Sequence, residues 1–299
     1  MKQNRIDPKL NYVSALRMTI DSLQEDIRGF EKVRDYLKNL TGVNLITNQK
    51  NLSLMANRLG KILAENECQD YSDYIACLLK PGDNSELKNE FISSMTTHTT
   101  EFFREPFHFE ELRKITEEKL KSHSVSELRV WCAAASTGQE PYTIAMVLLD
   151  VTSRLRPLSV KILATDIDIQ VLQIAAKGNY KKSDLDKLPA NFRERFFVKA
   201  NGNSGPTDMM AASKELKSAL RFAPLNLALQ TYPFQHRFDV IFCRNVLIYF
   251  EKYDAEKIVD RLVNSLNVGG HLFVGHSESS AVTSSKVKKV GMAIYQKVK

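Results

Sequence analysis

Apolar residues recur every three or four positions through the first third of the chain. This spacing predicts amphipathic helices over residues 28–40, 51–64 and 70–79. The apolar stripe of the middle helix consists of Leu52, Met55, Leu59, Ile62 and Leu63. Because these helices follow one another without a strand pattern between them, we predict an all-α N-terminal domain over residues 1–95.

From residue 128 onward, short apolar runs alternate with helical patterns. The predicted strands cover residues 128–133, 160–165, 220–223, 238–243, 271–274 and 291–298. The predicted helices begin at Glu140 or cover residues 169–176 and 254–266, and Gly269-Gly270 is expected to end the last of them. Alternating strands and helices predict a parallel sheet covered on both faces, and the last two strands predict an antiparallel pair at one edge.

The alternating pattern weakens between residues 180 and 221. This stretch contains NGNSGP and other turn-forming residues. We interpret it as a hairpin or small β-subdomain, at about 181–221, inserted into an α/β domain that covers 96–299.

The loop that follows the first predicted strand reads AAASTG and leads into a helix at Glu140. It lacks the Gly-x-Gly-x-x-Gly pattern of a dinucleotide loop and the Gly-Lys-Ser/Thr of a P-loop. Glu140 would repel a phosphate but attract an ammonium group. Asp166 ends the second strand, where an acid commonly accepts ribose hydroxyls. These features fit S-adenosylmethionine, although the loop alone fits an ordinary strand–helix turn equally well.

The chain has 299 residues, a formal net charge of +7 and a pI of about 9.1. A basic chain favours an acidic partner, which could be nucleic acid, a lipid surface or a protein. No stretch reaches the roughly 20 apolar residues of a membrane span, and the N-terminus has no apolar signal sequence, so we expect a cytoplasmic protein. The four cysteines show neither CxxC nor zinc spacing, so we expect no metal site.

The segment TTHTTEFFREPFHF, residues 96–109, lies just before the α/β region. By itself it could be an aromatic plug with a solvated arginine. Together with other blocks, however, it resembles the chemotaxis receptor methyltransferase family, CheR. The other blocks are WCAAASTGQEPYTIAM, ILATDIDIQVLQIAAKGNY, FAPLNL, FDVIFCRNVLIYF and GGHLFVGHSE.

This resemblance implies an S-adenosylmethionine-dependent methyltransferase-type doubly wound sheet with an antiparallel edge strand. It also implies a small all-α N-terminal domain and an inserted β-subdomain. The implied activity is methylation of glutamate side chains on chemoreceptors, with S-adenosylhomocysteine as the product. We expect a monomer that binds the acidic helical signalling region of receptors, without nucleic acid or membrane insertion, and that associates with receptor clusters.

The resemblance also implies roles for individual residues. The family's cofactor-contacting positions fall here on His98, Thr100, Arg104, Glu140, Asp166, Asn226, Leu227, Arg244 and Asn245. His98 stands where the family usually has Asn. Arg104 and Tyr249 are the candidates for orienting the acceptor. The family's receptor-facing basic helix matches the stretch with Lys50, Arg58 and Lys61, which residue patterns alone would read as a solvated helix surface.

The chemistry implied by the resemblance needs no general base, because a glutamate with a pKa of about 4.3 is ionised at pH 7. The enzyme must instead desolvate the carboxylate and align it behind the methyl group. Two alternatives remain at this stage. A nucleic-acid methyltransferase would suit the positive charge, and a cofactor sensor without turnover would retain the same pocket.

Overall fold

The computed structural model describes residues 20–82, 84–121, 126–200 and 208–299. The chain divides into two compact units, residues 1–96 and residues 97–299.

The described part of the N-terminal unit contains four complete helices. They are α1 (Ile27–Thr41), α2 (Gln49–Glu65), α3 (Tyr71–Leu79) and α4 (Ser85–Met95). The side chains of Asp26, Asn48 and Asp70 each accept a hydrogen bond from a backbone N–H in the first turn of α1, α2 and α3. Such caps satisfy amides that have no partner inside a helix, which is why these three helices begin where they do.

The core of this unit is formed by the apolar stripes of the helices. All five stripe residues of α2 are buried, as their spacing predicts. They pack in one cluster with aromatic residues of the neighbouring helices, including Phe30, Tyr71, Tyr74 and Phe91. Helix α4 was not predicted, because only Phe91, Ile92 and Met95 of its eleven residues are buried and they do not form a long periodic stripe.

The second unit is built on a seven-stranded sheet. Its strands are β1 (Glu127–Cys132), β2 (Ser159–Asp166), β6 (Leu220–Pro224), β7 (Phe238–Cys243), β8 (Leu266–Val274), β9 (Val287–Gly291) and β10 (Ile294–Lys297). The spatial order is β6-β2-β1-β7-β8-β10-β9. Five neighbouring strands run parallel, namely β6, β2, β1, β7 and β8. Strand β10 pairs antiparallel with both β8 and β9. The strand order reverses between β1 and β7, where open α/β sheets usually bind ligands.

Helices cover both faces of this sheet. They are α5 (Phe107–Lys121), α6 (Gln139–Leu155), α7 (Ile169–Lys177) and α10 (Lys252–Asn264). In β1, Val130 and Cys132 pack in the cluster that includes α5 and α6, whereas Trp131 packs in the cluster that includes α10. Because both faces are buried, the central strands are continuous apolar runs rather than alternating ones.

The region between α7 and β6 forms a small separate sheet. Its three antiparallel strands are β3 (Asn179–Lys181), β4 (Phe197–Lys199) and β5 (Met209–Ala212), in the order β3-β5-β4. Two short helices, α8 (Ala190–Phe196) and α9 (Lys214–Ala219), accompany it. The predicted doubly wound sheet with an antiparallel edge and an inserted antiparallel sheet is therefore present.

Two sequence-based boundaries near the C-terminus were wrong. Helix α10 ends at Asn264, where Ser265 donates from its backbone and its hydroxyl to the carbonyl of Arg261. Gly269 and Gly270 instead lie within β8, which begins at Leu266. Gly269 has φ +79°, and the pairing of β7 with β8 shifts register nearby. The two glycines therefore lie in an irregular part of the strand and do not end the helix.

The predicted last strand over 291–298 is present as β10, which pairs antiparallel with β8 as expected, but β9 was not predicted. Ala293, which lies between β9 and β10, adopts φ +55°. Strand β9 precedes the predicted strand and turns into it through Met292 and Ala293, so the sheet has one more strand than the sequence pattern indicated.

Gly138 gives a testable prediction about the start of α6. It has φ +102°, and an added Cβ would lie 2.5 Å from the Tyr180 hydroxyl and 3.0 Å from the Cβ of Ala175. Gly138→Ala should lower the free energy of unfolding by about 1–3 kcal/mol through backbone strain and crowding. Gly269→Ala is the control, since Gly269 also has a positive φ but, among the described residues, no atom lies within 4 Å of an added Cβ. Equal losses in urea denaturation would show that the crowding at Gly138 contributes nothing.

Candidate active site

Five segments meet at the carboxyl edge of the large sheet. Four of them follow strands β1, β2, β6 and β7, and the fifth is the stretch that precedes α5. Most of the predicted site residues lie on these segments. The position follows from topology, because parallel strands deliver the loops after them to one edge.

Asp166, at the end of β2, organises the loop after β1. One of its carboxylate oxygens accepts the backbone N–H of Ser136 at 2.8 Å, and the other accepts that of Asp168 at 3.0 Å. Burial raises the pKa of this carboxyl, and the two backbone hydrogen bonds oppose that shift. A carboxylate has about four acceptor positions, so Asp166 can still accept the two hydroxyls of a ribose.

Glu140 lies in the first turn of α6 and pairs with Arg244 from the end of β7. Nη1 of Arg244 donates to the Glu140 carboxylate at 2.5 Å, and the Cys132 thiol donates to the other oxygen at 3.3 Å. Desolvation raises the pKa of Glu140, whereas Arg244 lowers it. The sequence placed both residues at the cofactor, but it did not indicate that they bind each other.

Arg244 also fixes the segment before α5. Its Nη2 donates to the backbone carbonyl of Arg104 at 2.6 Å and lies 3.2 Å from the Glu105 carboxylate. Its side chain is fully buried. The structure therefore commits both terminal nitrogens of Arg244 to protein groups, and its predicted direct contact with the cofactor stays a prediction.

The same segment is tied to the sheet loops at a second point. The Ser136 hydroxyl donates to the His98 carbonyl at 3.1 Å, and Nε2 of His98 lies 3.2 Å from the carboxylate of Asp168. About 30% of the His98 side chain is exposed. His98 thus contacts the loop after β2 through Asp168.

The other predicted site residues lie on the same edge, and all of them except Leu227 keep part of their surface exposed. Nη1 of Arg104 donates to the carbonyl of Thr99 at 3.1 Å, and most of the fork of the guanidinium remains available. Thr100 and Tyr249 are half-buried. The Asn226 side chain accepts the N–H of Ala228 at 2.8 Å. Leu227 is buried, at 5% exposure, in the apolar cluster on the α10 side of the sheet.

Backbone strain is concentrated around this edge. Among the described residues, six other than glycine have φ between +48° and +57°. Four of them, Phe103, Glu105, Ser136 and Asn245, belong to the site segments. Such conformations each cost about 1–3 kcal/mol and persist only where surrounding contacts hold them. The hydrogen bonds that Asp166 accepts and Arg244 donates are among the contacts that stabilise these conformations.

Sequence reasoning missed several residues that shape the site. Glu105 and Ser136 contact Arg244 and Asp166, and Glu278, beyond β8, accepts backbone N–H groups from the loop after β7. Phe102 packs edge-on against Tyr180 and so connects the site to the inserted sheet. The quoted blocks contained all of these residues, but neither periodicity nor strand-end position singles them out.

The three predicted receptor-facing residues lie on α2 of the N-terminal unit. Lys50 and Lys61 are exposed, and Lys61 lies 3.4 Å from Glu65. Arg58 is half-buried and donates to the carbonyls of Met95 and Thr96, at 3.2 and 3.1 Å. Arg58 therefore helps to end α4, and of the three only the lysines offer a largely exposed charge.

The site residues fit S-adenosylmethionine better than a nucleotide. Asp166 retains acceptors for ribose hydroxyls, while Glu140 and the largely available fork of Arg104 can meet an ammonium and a carboxylate. Gly138, at the start of α6, is not part of a glycine-rich phosphate loop. The donor set thus suits a nucleoside joined to an amino acid.

Comparisons with known proteins agree with this geometry. A family model described as CheR methyltransferase, SAM binding domain, matches residues 98–296, and one described as CheR methyltransferase, all-alpha domain, matches residues 28–96. Fold, site and family model together define an S-adenosylmethionine-dependent methyltransferase. The chain belongs to the CheR methyltransferase family. The predicted family, enzyme class and cofactor are therefore confirmed.

The chain is similar to curated relatives over most of its length. Chemotaxis protein methyltransferase 2 of Pseudomonas aeruginosa is 36% identical over 267 residues, which are 89% of this chain and 91% of that protein. The chemotaxis protein methyltransferase of Escherichia coli K12 is 35% identical over 267 residues, 89% of each chain. That of Klebsiella aerogenes is 34% identical over 295 residues, 99% of this chain and 98% of that protein.

His108 predicts how stability depends on pH. It is fully buried, its Nε2 lies 3.2 Å from the carbonyl of Met292, and burial lowers its pKa from 6.5 to about 4. The unfolded chain binds a proton as the pH falls below 6.5, whereas the folded chain does not until about pH 4. This residue should therefore contribute a loss of stability as the pH falls from 6.5 to 4. Buried His271, whose pKa is also lowered to about 4, should add to that loss.

Denaturant titrations at pH 7.5 and 4.5 measure this effect. His108→Gln keeps a donor for the Met292 carbonyl but cannot take up a proton, so it should lose less stability than the native chain on acidification. His236→Gln, at an exposed histidine, is the control. An identical loss in His108→Gln and the native chain would contradict the prediction.

Proposed function

We propose that this enzyme transfers the methyl group of S-adenosylmethionine to glutamate carboxylates of chemoreceptors, the methyl-accepting chemotaxis proteins. The products are glutamate methyl esters, which serve sensory adaptation, and S-adenosylhomocysteine. The observation that carries the proposal is that Asp166, whose oxygens keep free acceptor positions, and Arg104, whose guanidinium makes one hydrogen bond, lie on segments of the same sheet edge. The relatives of the chain are named chemotaxis protein methyltransferases.

The cofactor would be held by both halves of the site. The Asp166 carboxylate accepts the ribose hydroxyls, and Glu140, with one oxygen turned to Arg244 and one to Cys132, faces the methionine ammonium. The cofactor supplies a sulfonium methyl group as the electrophile. Thr100, Asn226, Leu227 and Asn245, with His98, complete the surroundings of the adenosine and methionine parts.

The residues of this chain act on the acceptor by orientation rather than by proton transfer. A receptor glutamate is ionised near neutral pH and needs no base. The forked donors of Arg104 match a carboxylate, and Tyr249 offers one neutral donor beside an apolar ring. Over-strong pairing would stabilise the charged ground state more than the transition state, in which charge is disappearing, so orientation with few donors suits this reaction.

The exposed lysines of α2 supply the charge that meets the receptor. Lys50 and Lys61, with Arg58 between them, would attract the acidic helical signalling region of a chemoreceptor. We expect the enzyme to act as a monomer in the cytoplasm, at receptor clusters. Among the helices that the structure describes, none is long and apolar enough to cross a membrane.

Incubation with methyl-labelled cofactor tests the proposal directly. Labelled methyl should pass to a receptor signalling fragment and be released by mild base, as expected of an ester. A fragment whose acceptor glutamates are replaced by alanine is the substrate control. Labelling of RNA instead of the receptor fragment would reject the proposal in favour of a nucleic-acid methyltransferase.

Asp166→Asn should weaken the binding of S-adenosylhomocysteine at least about tenfold, because one hydrogen bond to a charged acceptor contributes roughly 1.5–3 kcal/mol. The amide also places a donor against a backbone N–H. Calorimetric titration measures the affinity. Asp260→Asn, at an exposed position of α10, is the matched control. Unchanged affinity in Asp166→Asn would contradict the proposal that Asp166 binds the ribose hydroxyls of the cofactor.

Arg104→Ala should lower kcat/KM for the receptor fragment on the order of a hundredfold, because the acceptor loses its alignment. The substitution leaves the Arg104 carbonyl, which Arg244 binds, in place. The loss of kcat/KM would therefore reflect the missing guanidinium of Arg104 and not the hydrogen bond between Arg244 and the Arg104 carbonyl. Lys50→Ala should change the rate far less, since a rim charge acts mainly on association and is screened by salt. Comparable losses in steady-state rates would count against the role of Arg104.

A further inference from the structure

Glu278 is a buried carboxylate that the proposed reaction does not use. It lies in the 3-10 turn His276–Ala281, directly after β8, and only 3% of its surface is exposed. A carboxylate in such a place is costly unless its oxygens are hydrogen-bonded. Its partners therefore indicate what it does.

Every hydrogen bond that the structure shows to this carboxylate comes from a backbone N–H. One oxygen accepts Leu247 at 2.7 Å, with Ile248 at 3.4 Å. The other oxygen accepts Asn245 at 2.8 Å and Gly275 at 2.6 Å. Three of these four donors belong to one loop, the segment after β7. The acceptor capacity of a carboxylate is thereby filled, and none is left for a ligand.

We infer that Glu278 is a positioning residue that holds the loop from Asn245 to Tyr249 in its active conformation. Asn245 has φ +56°, which is unfavourable without outside support. Hydrogen bonds to a charged acceptor are about twice as strong as neutral ones. The carboxylate can therefore stabilise a loop conformation that the loop sequence alone would not keep.

Gly275 provides a second observation for the same contact. A Cβ added there would lie 2.5 Å from the Glu278 carboxylate and 3.0 Å from the side-chain amide nitrogen of Asn245. The end of β8 can thus approach both groups only because residue 275 has no side chain. The loop, the carboxylate and the strand end form one closely packed unit.

The consequence for methyl transfer rests on the proposed function, which assigns Asn245 to the cofactor and Tyr249 to the acceptor. Both residues are carried by the loop that Glu278 binds. A displacement of about 1 Å in such a loop can cost on the order of a hundredfold in rate. Glu278 acts through this loop and touches neither reactant.

A purely local role for Glu278 is the competing explanation. Its bond from Gly275 caps the 3-10 turn in which it lies, and a residue with that role alone would affect stability without affecting the loop. The two roles differ in which backbone N–H groups lose their protection against hydrogen exchange when Glu278 is replaced. A positioning role predicts loss in the loop after β7, and a capping role predicts loss confined to the turn.

Hydrogen exchange of the full chain tests this difference. Glu278→Gln keeps the shape of the side chain but turns one acceptor into a donor that faces backbone N–H groups. Exchange should rise at least about tenfold for Asn245, Leu247 and Ile248, and remain unchanged within strand β7. Glu118→Gln makes the same change at an exposed position of α5 and serves as the control.

Kinetics supply the second readout. Glu278→Gln should lower kcat for the receptor fragment at least tenfold with KM within about threefold, because the basic helix that meets the receptor is unaffected. Its affinity for S-adenosylhomocysteine should fall as well, since Asn245 is displaced. If the variant does not fold, Glu278→Asp, which keeps the charge but is shorter, takes its place with the same expected direction.

Two outcomes would overturn the inference. One is exchange that is unchanged in the loop or raised equally throughout the second unit. The other is a faster-exchanging loop with unchanged kcat and unchanged affinity for S-adenosylhomocysteine. Failure of the proposed function looks different, since the native chain itself would then methylate no receptor fragment. Exchange and S-adenosylhomocysteine affinity would still decide the role of Glu278 in that case.

Discussion

The buried guanidinium of Arg244 is the contact on which the rest of the site depends. It lies at the end of β7 and binds the Glu140 carboxylate, the Arg104 carbonyl and the Glu105 carboxylate. Three segments that are distant in sequence are thereby fixed to one another. Removing one partner of a buried ion pair typically costs about 3–5 kcal/mol, because the other charge is left without compensation. The cluster thus gives the sheet edge one defined arrangement.

Carboxylates that bind backbone amides give the other loops their shape. Asp166 holds the loop after β1, and Glu278 holds the loop after β7. Both loops contain a residue with positive φ, Ser136 in the first and Asn245 in the second. The same physical solution therefore appears twice, with strain in the loop offset by a charged acceptor from a neighbouring strand end. Loops held in this way suit a reaction that depends on alignment of the reactants rather than on proton transfer.

The sequence was informative wherever a structural feature depends on nearby residues. The apolar run FDVIFC predicts a strand buried on both faces, and the stripe of α2 predicts a helix packed on one side, and both predictions were correct. Asp166 and Asn245 could be recognised because acids and amides at the ends of parallel strands meet at one edge. Local periodicity and strand-end position were enough for these features.

Other features depend on tertiary partners that no local pattern specifies. Glu140 and Arg244 are 104 positions apart, and nothing in either neighbourhood indicates that they bind each other. The role of Gly269 and Gly270 depends on the register between β7 and β8, so a helix-end rule applied to them fails. Glu278 could not be recognised as a support for the loop after β7, since its partners in that loop lie 30 to 33 residues earlier.

The inserted sheet also forms part of the wall behind the site. Phe102 packs against Tyr180 and Phe197, Phe103 packs against Phe192, and Lys187 pairs with Glu101. These contacts join the insert to the segment that carries Thr100 and Arg104. A related protein without the insert would therefore need another apolar surface against which Phe102 and Phe103 could pack.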